Sequence, residues 1–377
     1  MIISKLFNNF FNSEKTGGLI LIFCTVISLL VANSSMGPGY IHFWETYFNG
    51  HSITHWINDG LMSIFFLMIG LELEREIYIG ELSDIKNALL PVLAALGGVL
   101  IPAGIYLFLN YGTVAQNGAG IPMATDIAFA IGMLALLGSR VPASLKIFLT
   151  ALAVIDDICA IIIIAVFYSS GISFIYLGIA LAIFGSLFLL NRLKVRNIIP
   201  YLIGGVAMWY CMLHSGIHAT LAGILLAFAV PFGNGDEKST SYILQNALHK
   251  PVAFLILPLF ALANTCIVFQ NQWADGLLST ESLGIITGLV LGKPAGILLF
   301  TATAVFTGIC ALPEDLKWKH IISAGMLAGI GFTMSIFVTL LAFSDNEQIA
   351  TAKIAIIFAS LFSALFGLLS LHFILKK

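Results

Sequence analysis

Two adjacent aspartates, Asp156 and Asp157, lie inside an apolar run from Ile147 to Phe167 that is long enough to cross a bilayer. On insertion scales one carboxylate at the centre of such a helix costs about 2.5 to 3.5 kcal/mol, so a pair carries a heavy penalty. Neighbouring residues on an α-helix point about 100° apart, so the two carboxylates face different partners. Such a pair titrates as a coupled unit and is expected where ions or protons move. The alternative is a pair that is buried against cations without a transport role.

Three more polar side chains interrupt apolar segments. Asp126 and Thr125 follow Pro122, which removes a backbone donor, so their oxygens lie beside a disturbed turn that favours a cation-coordinating helix break. A simple proline kink is the alternative. Lys293 is also within an apolar segment, and its ammonium needs a carboxylate or the negative end of a helix dipole. The acids named above are candidate partners.

A fourth apolar segment contains Gly329, Gly331 and Thr333. The glycines lower helix stability, and the threonine can satisfy freed backbone groups, so an unwound stretch is expected. The alternative is that these small residues only allow neighbouring helices to pack closely.

The composition indicates the class of protein. Of 377 residues, 59% are hydrophobic and 10% charged, whereas soluble domains have about 25% charged residues. This is typical of an all-α polytopic membrane protein in contact with the lipid bilayer. The net charge of −2 gives no indication of a nucleic-acid partner.

Apolar segments of about 20 residues predict twelve transmembrane helices. Lys and Arg are concentrated in alternate loops and in both tails, including Lys376 and Lys377, which predicts that both termini are cytoplasmic. The approximate bounds of the twelve spans are 17–33, 53–79, 88–109, 114–138, 143–168, 172–191, 198–213, 216–231, 241–265, 282–307, 320–343 and 350–375.

Spans 3–5 and 10–12 form two triples of opposite orientation, each with an interrupted helix in the middle, in spans 4 and 11. The two triples are therefore candidates for an inverted repeat, whose paired interruptions indicate a binding site near the midplane of the membrane.

Residues 40–54, between the first two spans, contain Asn49-Gly50 between short aromatic-rich runs, which predicts a β-hairpin on the outer side. An isolated two-stranded hairpin is only marginally stable, so it needs a surface to pack against. It either pairs with a second copy of the chain or lies on the membrane surface.

The motifs around these residues closely resemble those of the NhaA-type bacterial sodium/proton antiporters. The resemblance extends from the first span to the last, with the motifs in order and at the spacing of the family. The matching segments are Gly70-Leu-Glu-Leu-Glu-Arg-Glu76, Ala124-Thr-Asp-Ile-Ala-Phe-Ala130, Ala153-Val-Ile-Asp-Asp-Ile158, Gly216-Ile-His-Ala-Thr-Leu-Ala-Gly223, Leu291-Gly-Lys-Pro294 and Gly329-Ile-Gly-Phe-Thr-Met-Ser335.

The resemblance implies a pH-regulated secondary transporter, not an enzyme, that exchanges cytoplasmic Na⁺ or Li⁺ for two external protons across the bacterial inner membrane, without a cofactor. Asp157 is then the leading ligand of the transported Na⁺, Asp156 the partner of Lys293, and Thr125 lies close to them. Asp126 offsets the positive ends of the interrupted helices, and Lys293 their negative ends. The second proton is carried by Asp156 or by Lys293.

The resemblance also implies one antiporter domain, 1–377, with a core bundle at 88–168 and 282–377 and scaffold helices at 1–87 and 172–265. The hairpin at about 40–54 would form a homodimer. The expected pH-responsive residues are Glu72, Arg75, Glu76, His218 and His249, although a His218 that merely packs against polar neighbours has the same sequence pattern.

Other classes of membrane protein explain the pair Asp156 and Asp157 less well. An intramembrane aspartyl protease needs its two aspartates on different helices. A carrier of organic anions needs more positive charge at the midplane than Lys293 supplies, and a cation channel does not need coupled proton sites.

The chain departs from some relatives near the connection between the eighth and ninth spans, where Tyr242, Gln245 and Asn246 replace charged or His residues associated with pH sensing. We expect transport to remain pH-dependent because the site carboxylates must deprotonate, but with an activation profile that is shifted or less steep. Transport in everted vesicles across pH measures this. A profile that matches the fully charged relatives would contradict the expectation.

Overall fold

The computed structural model describes residues 2–169, 171–269 and 273–375, so Lys376 and Lys377 and part of the segment 266–281 lie outside the described residues. The described chain is mostly helical. Its α-helices are α1 (Ile2–Ala32), α2 (Gly37–Glu45), α3 (Ile53–His55), α4 (Met62–Tyr78), α5 (Ile85–Asn110), α6 (Ile127–Ala135), α7 (Ala143–Phe167), α8 (Phe174–Arg192), α9 (Ile199–Leu213), α10 (Leu221–Ala229), α11 (Thr240–Pro251), α12 (Leu257–Asn264), α13 (Trp273–Gly276), α14 (Thr280–Thr287), α15 (Lys293–Phe306), α16 (Trp318–Ala328), α17 (Phe332–Ala342) and α18 (Asn346–Ile374).

Shorter helical turns of other types connect several of these helices. The 3₁₀ turns are Glu81–Ser83, Val114–Met123 and Gly138–Arg140, and the π-helical turns are Trp56–Leu61, Val252–Ile256 and Gly288–Gly292.

Within the described residues, eight helical segments are long and apolar enough to cross a membrane, or ten when each of two bent pairs counts as one span. The predicted spans 198–213 and 216–231 correspond to α9 and α10, which have 15 and 9 residues. At 1.5 Å per residue these helices are about 22 Å and about 14 Å long, shorter than a hydrocarbon core of about 30 Å. The count of twelve spans therefore stays a prediction.

A β-hairpin is present as predicted, but its strands are confined to residues 47–52. Of the predicted range 40–54, the residues up to Glu45 belong to α2, and α3 begins at Ile53. Strand β1 (Tyr47–Phe48) pairs antiparallel with β2 (His51–Ser52). The two turn residues, Asn49 and Gly50, have φ values of 51° and 87°, as a two-residue hairpin turn of type I′ requires. The indole of Trp56 donates a hydrogen bond of 2.9 Å to the carbonyl of Phe48 and fixes the first strand to the following turn.

The chain divides into two units, and the first comprises residues 1–37, 84–160 and 264–377. It contains α5, both bent helix pairs and α14 to α18. Residues 1–37, which the sequence prediction grouped with the scaffold, belong to this unit, where α1 packs against α6.

Helices α5 and α15 of the first unit pack with their backbones in close approach. A Cβ atom on Gly296 would lie 2.1 Å from the carbonyl oxygen of Gly97, and one on Gly97 would lie 2.2 Å from the carbonyl oxygen of Gly296. Only glycine fits at this crossing, and the crossing is one helical turn from Lys293. The two glycines therefore set the position of the helix that carries the buried ammonium.

The second unit comprises residues 38–83 and 161–263. Its apolar core includes residues from α4, α8, α9 and α10, among them Leu71, Leu187, Tyr201, Met208 and Leu226.

Replacing Gly296 by alanine is expected to destabilise the protein, because the new methyl group overlaps the backbone of α5. Overpacking of this kind costs about 1 to 3 kcal/mol. Thermal unfolding of the purified variant in detergent measures the effect. Gly104→Ala is the matched control, since a Cβ on Gly104 meets nothing within 4 Å. Equal stability of the two variants would contradict the proposed crossing.

Candidate functional site

Two broken helices of the first unit supply the backbone of the candidate site. The 3₁₀ turn Val114–Met123, which contains Pro122, is followed by extended backbone at Ala124 and by α6, with a bend of 40°. Helix α16 ends at Ala328, and α17 begins at Phe332 after a bend of 47°. Both breaks lie where the sequence indicates them, after Pro122 and at Gly329 to Gly331.

The two breaks contact each other directly. The backbone N–H of Asp126 donates to the carbonyl of Ile330 at 2.7 Å. The hydroxyl of Ser335 donates to the carbonyl of Ile121, also at 2.7 Å. These bonds satisfy backbone groups that the breaks release, which is a requirement for irregular backbone at membrane depth.

The Asp126 carboxylate caps the N-terminal ends of two helices at once. Its Oδ1 accepts from the backbone N–H of Phe129 in α6 at 2.9 Å. Its Oδ2 accepts from the N–H of Thr333 in α17 at 3.0 Å and from the Thr333 hydroxyl. A carboxylate at a helix N-terminus is stabilised by the helix dipole, and here one charge serves two dipoles. Asp126 is 2% exposed, so its carboxylate is shielded from bulk solvent.

Lys293 is fully buried and lies on the opposite, carbonyl side of the first break. Its Nζ is 2.9 Å from Oδ2 of Asp156, which is also fully buried, and it donates to the carbonyl of Met123. Met123 is the last residue of the turn Val114–Met123. The ammonium therefore contacts both a carboxylate and the carbonyl end of a broken helix.

Thr125 connects the ion pair to the second broken helix. Its Oγ1 lies 2.7 Å from Oδ2 of Asp156 and 2.9 Å from the carbonyl oxygen of Ala328, the last residue of α16. A hydroxyl has one hydrogen, so Thr125 donates to one of these two acceptors at a time. The ionised carboxylate is the stronger acceptor.

Asp157 is adjacent to this cluster on α7. It is 1% exposed and interacts electrostatically with Lys293. Asp156 keeps a second oxygen, Oδ1, that accepts no hydrogen bond from the described residues. The neighbouring carboxylates, the Thr125 hydroxyl and the Ala328 carbonyl are all hard oxygen donors, the type that alkali cations prefer.

The five ion-site residues of the sequence prediction, Thr125, Asp126, Asp156, Asp157 and Lys293, are thus all in the first unit. Contacts to the carbonyls of Met123 and Ala328 were not foreseen, because a backbone carbonyl has no signature in the sequence. Among the described residues, no three His, Cys, Asp or Glu side chains converge in the way that binds a transition metal.

The predicted pH-responsive residues belong to the second unit. Glu72 lies on α4 and is 9% exposed. Glu76, on the same helix, accepts from the backbone N–H of Glu81 at 3.1 Å. His218 is paired with the carbonyl of Tyr168 at 3.0 Å. The remaining two, Arg75 and His249, lie on α4 and α11.

Two buried carboxylates were missed by the sequence analysis. Glu74, on α4, is 4% exposed, and Glu281, at the start of α14, is 8% exposed. Glu281 precedes the predicted span 282–307 by one residue, so the predicted bounds place it in the preceding loop. The signal that could have found it is the lack of any basic residue in that loop.

The sequence model that describes Na⁺/H⁺ antiporter 1 matches residues 8–371, nearly the whole chain. This chain belongs to the Na⁺/H⁺ antiporter 1 family. It is 67% identical over 375 residues to Na(+)/H(+) antiporter NhaA 1 of Flavobacterium johnsoniae, covering 100% of this chain and 98% of that one. It is 49% identical over 381 residues to Na(+)/H(+) antiporter NhaA of Vibrio cholerae, and the match covers 100% of both chains.

The fold of this antiporter is similar to that of a solved structure, the sodium proton antiporter MjNhaP1 from Methanocaldococcus jannaschii. The TM-score is 0.55 at 15% sequence identity, with 98% of this chain and 100% of that chain covered. Members of the Na⁺/H⁺ antiporter 1 family are transporters, so this multi-pass membrane protein is not an enzyme.

The Lys293–Asp156 ion pair leads to a prediction about the stability of the protein. Lys293→Met alone leaves a buried carboxylate without its cation, and removing one partner of a buried pair costs about 3 to 5 kcal/mol. The double variant Asp156→Asn/Lys293→Met removes both charges and should recover most of the loss. Unfolding of wild type, of the single variants Lys293→Met and Asp156→Asn, and of the double variant, each purified in detergent, measures this cycle. Strictly additive losses would show that the two side chains are not coupled.

Proposed function

We propose that this protein exports cytoplasmic Na⁺ or Li⁺ in exchange for external protons at Asp156 and Asp157. The observation that carries this proposal is the cluster of Asp156, Lys293 and Thr125, fully buried beside Asp157 and between two broken helices. Intramembrane carboxylates of this kind mark ion or proton pathways. Membership of the antiporter family supports the same reaction.

Na⁺ and protons compete for the same oxygen atoms, and this competition couples their movements. In the inward-open state, Na⁺ binds at Asp157, Asp156 and Thr125 and displaces protons to the cytoplasm. The loaded site then opens to the outside, where protons displace Na⁺. Each ion shifts the conformational equilibrium towards the state that binds it more tightly. Asp126 keeps the N-terminal ends of the broken helices neutralised throughout, and Lys293 offsets the carbonyl end while it is protonated.

Two protons enter for each Na⁺, so the cycle carries one net positive charge inward. A membrane potential contributes about 2.3 kcal/mol per charge for every 100 mV, which allows Na⁺ export against a gradient. Asp157 carries the first proton. The second is carried by Asp156 or by Lys293, which share the 2.9 Å contact.

The proposed architecture has twelve spans, with spans 3–5 and 10–12 as an inverted repeat and both termini in the cytoplasm. The core bundle is proposed to be 88–168 and 282–377, against which α1 packs, and the scaffold 38–87 and 172–265. Support comes from the paired bends of 40° and 47° in the middle of the two triples. The protein is placed in the bacterial inner membrane.

The scaffold is proposed to carry regulation and assembly. Glu72, Arg75, Glu76, His218 and His249 would adjust activity to pH. Strands β1 and β2 would pair with a second copy, since Tyr47 and Phe48 are 76% and 71% exposed in the single chain.

Na⁺-driven dequenching of a ΔpH probe in everted vesicles tests the function. Wild type should respond to Na⁺ and Li⁺, whereas Asp157→Asn and Asp156→Asn should fall to the background of vesicles without the protein. Asp236→Asn, in an exposed loop, is the control for removal of an acid and should respond as wild type does. Full activity in Asp157→Asn would refute the proposal.

A further inference from the structure

The start of α17, at the second helix break, has a contact that the proposed transport mechanism does not use. The residue before this helix, Gly331, has no side chain that could accept from the first free N–H groups. Such groups are costly where water is absent, so oxygens from other helices must accept from them. The N–H of Thr333 donates to Asp126. The N–H of Phe332 donates to Oγ of Ser360 on α18, at 3.1 Å.

Ser360 lies on an intact helix. Helix α18 is continuous over 29 residues and packs against both halves of the broken pair, α16 and α17. Ser360 is 2% exposed, so its oxygen is shielded from bulk solvent. A Cβ atom on Gly329 would lie 2.7 Å from Oγ of Ser363, which is three residues after Ser360 and shares its face of the helix. This face of α18 therefore lies against the break and supplies it with a fixed oxygen.

Phe332 lies between two contacts that tie the second break to Asp126. Two residues earlier, the carbonyl of Ile330 accepts from the N–H of Asp126 at 2.7 Å. One residue later, the N–H and the hydroxyl of Thr333 donate to Oδ2 of Asp126. The ring of Phe332 also packs edge-to-face on Phe129, with ring centroids 5.6 Å apart. A displacement of Phe332 would therefore disturb both contacts with Asp126.

The same break carries one oxygen of the proposed ion site. Ala328 is the last residue of α16, and its carbonyl oxygen is 2.9 Å from Oγ1 of Thr125. That hydroxyl is 2.7 Å from Oδ2 of Asp156, and Thr125 is the sequence neighbour of Asp126. Ligands that are held in place before binding give higher affinity, because less order has to be imposed when the ion arrives. The position of the break therefore bears on the affinity for Na⁺.

We propose that Ser360 is a positioning residue for Na⁺ and Li⁺ exchange. Its oxygen holds the N–H of Phe332 and so fixes the second break, which keeps the Ala328 carbonyl in place for the cation. Without this oxygen, the freed N–H competes for Oδ2 of Asp126, which already accepts from the next residue. The inference rests on the proposed function, because ion affinity is its readout.

The kinetics of exchange in everted vesicles test this role. Ser360→Ala is expected to raise the apparent KM for Na⁺ and for Li⁺ about fivefold, the scale of one lost hydrogen bond, with a smaller change in maximal rate. Ser363→Ala is the matched control, since Ser363 is equally buried on the same helix but its hydroxyl has no hydrogen-bond partner among the described residues. It should keep the wild-type KM. Ser360→Thr retains the hydroxyl oxygen and should keep it too.

A serine that only stabilises the fold gives a different pattern, because less folded transporter lowers the maximal rate and leaves KM unchanged. An unchanged KM in Ser360→Ala, or an equal rise in Ser363→Ala or in Ser360→Thr, overturns the inference. Where Ser360→Ala does not accumulate, Ser360→Cys, whose sulfur is a weaker acceptor, should raise KM in part, and an unchanged KM counts against the role. A wild type without exchange would instead refute the proposed function.

Discussion

A fully buried ammonium and a fully buried carboxylate must neutralise each other, and Lys293 and Asp156 do so at 2.9 Å. Taking either charge out of water costs several kcal/mol, so their contact must be held in place by its surroundings. Gly97 and Gly296 bring α15 against α5, and the carbonyl of Met123 receives the ammonium. The break after Met123 is thus a requirement of the ion pair, because an intact helix would already have used that carbonyl.

The same logic explains why two broken helices occur together. Each break exposes backbone donors and acceptors that the hydrocarbon region cannot satisfy. Asp126 accepts from both N-terminal ends, at Phe129 and at Thr333, while Thr125 and Lys293 meet carbonyls at the opposite ends. One broken helix alone would leave half of these groups without partners. The breaks therefore stabilise each other and surround Asp156 with a polar environment that does not depend on water.

Much of the site was predictable because charge in an apolar segment is rare and visible. Asp126, Asp156 and Lys293 could be found by type alone, and Pro122 indicated the first break. The hairpin at Asn49 and Gly50 was predictable for a similar reason, since that pair adopts positive φ. Backbone ligands could not be found, because the Ala328 carbonyl depends on where α16 ends. Glu281 was missed because hydropathy placed the start of its span two residues too late, and the lengths of α9 and α10 depend on tertiary packing.

The geometry also bears on which group carries the second proton. A Na⁺ ion that takes Oδ2 of Asp156 competes with the Lys293 ammonium for the same atom. Once displaced, the ammonium would keep the carbonyl of Met123 but lose its carboxylate, and an isolated buried cation is far more costly than a neutral amine. Release of a proton from Lys293 removes that cost and leaves the net charge of the pair unchanged when Na⁺ replaces the ammonium. In the proposed mechanism Asp156 would then remain ionised throughout, and Asp157 and Lys293 would be the two groups that exchange protons for one cation.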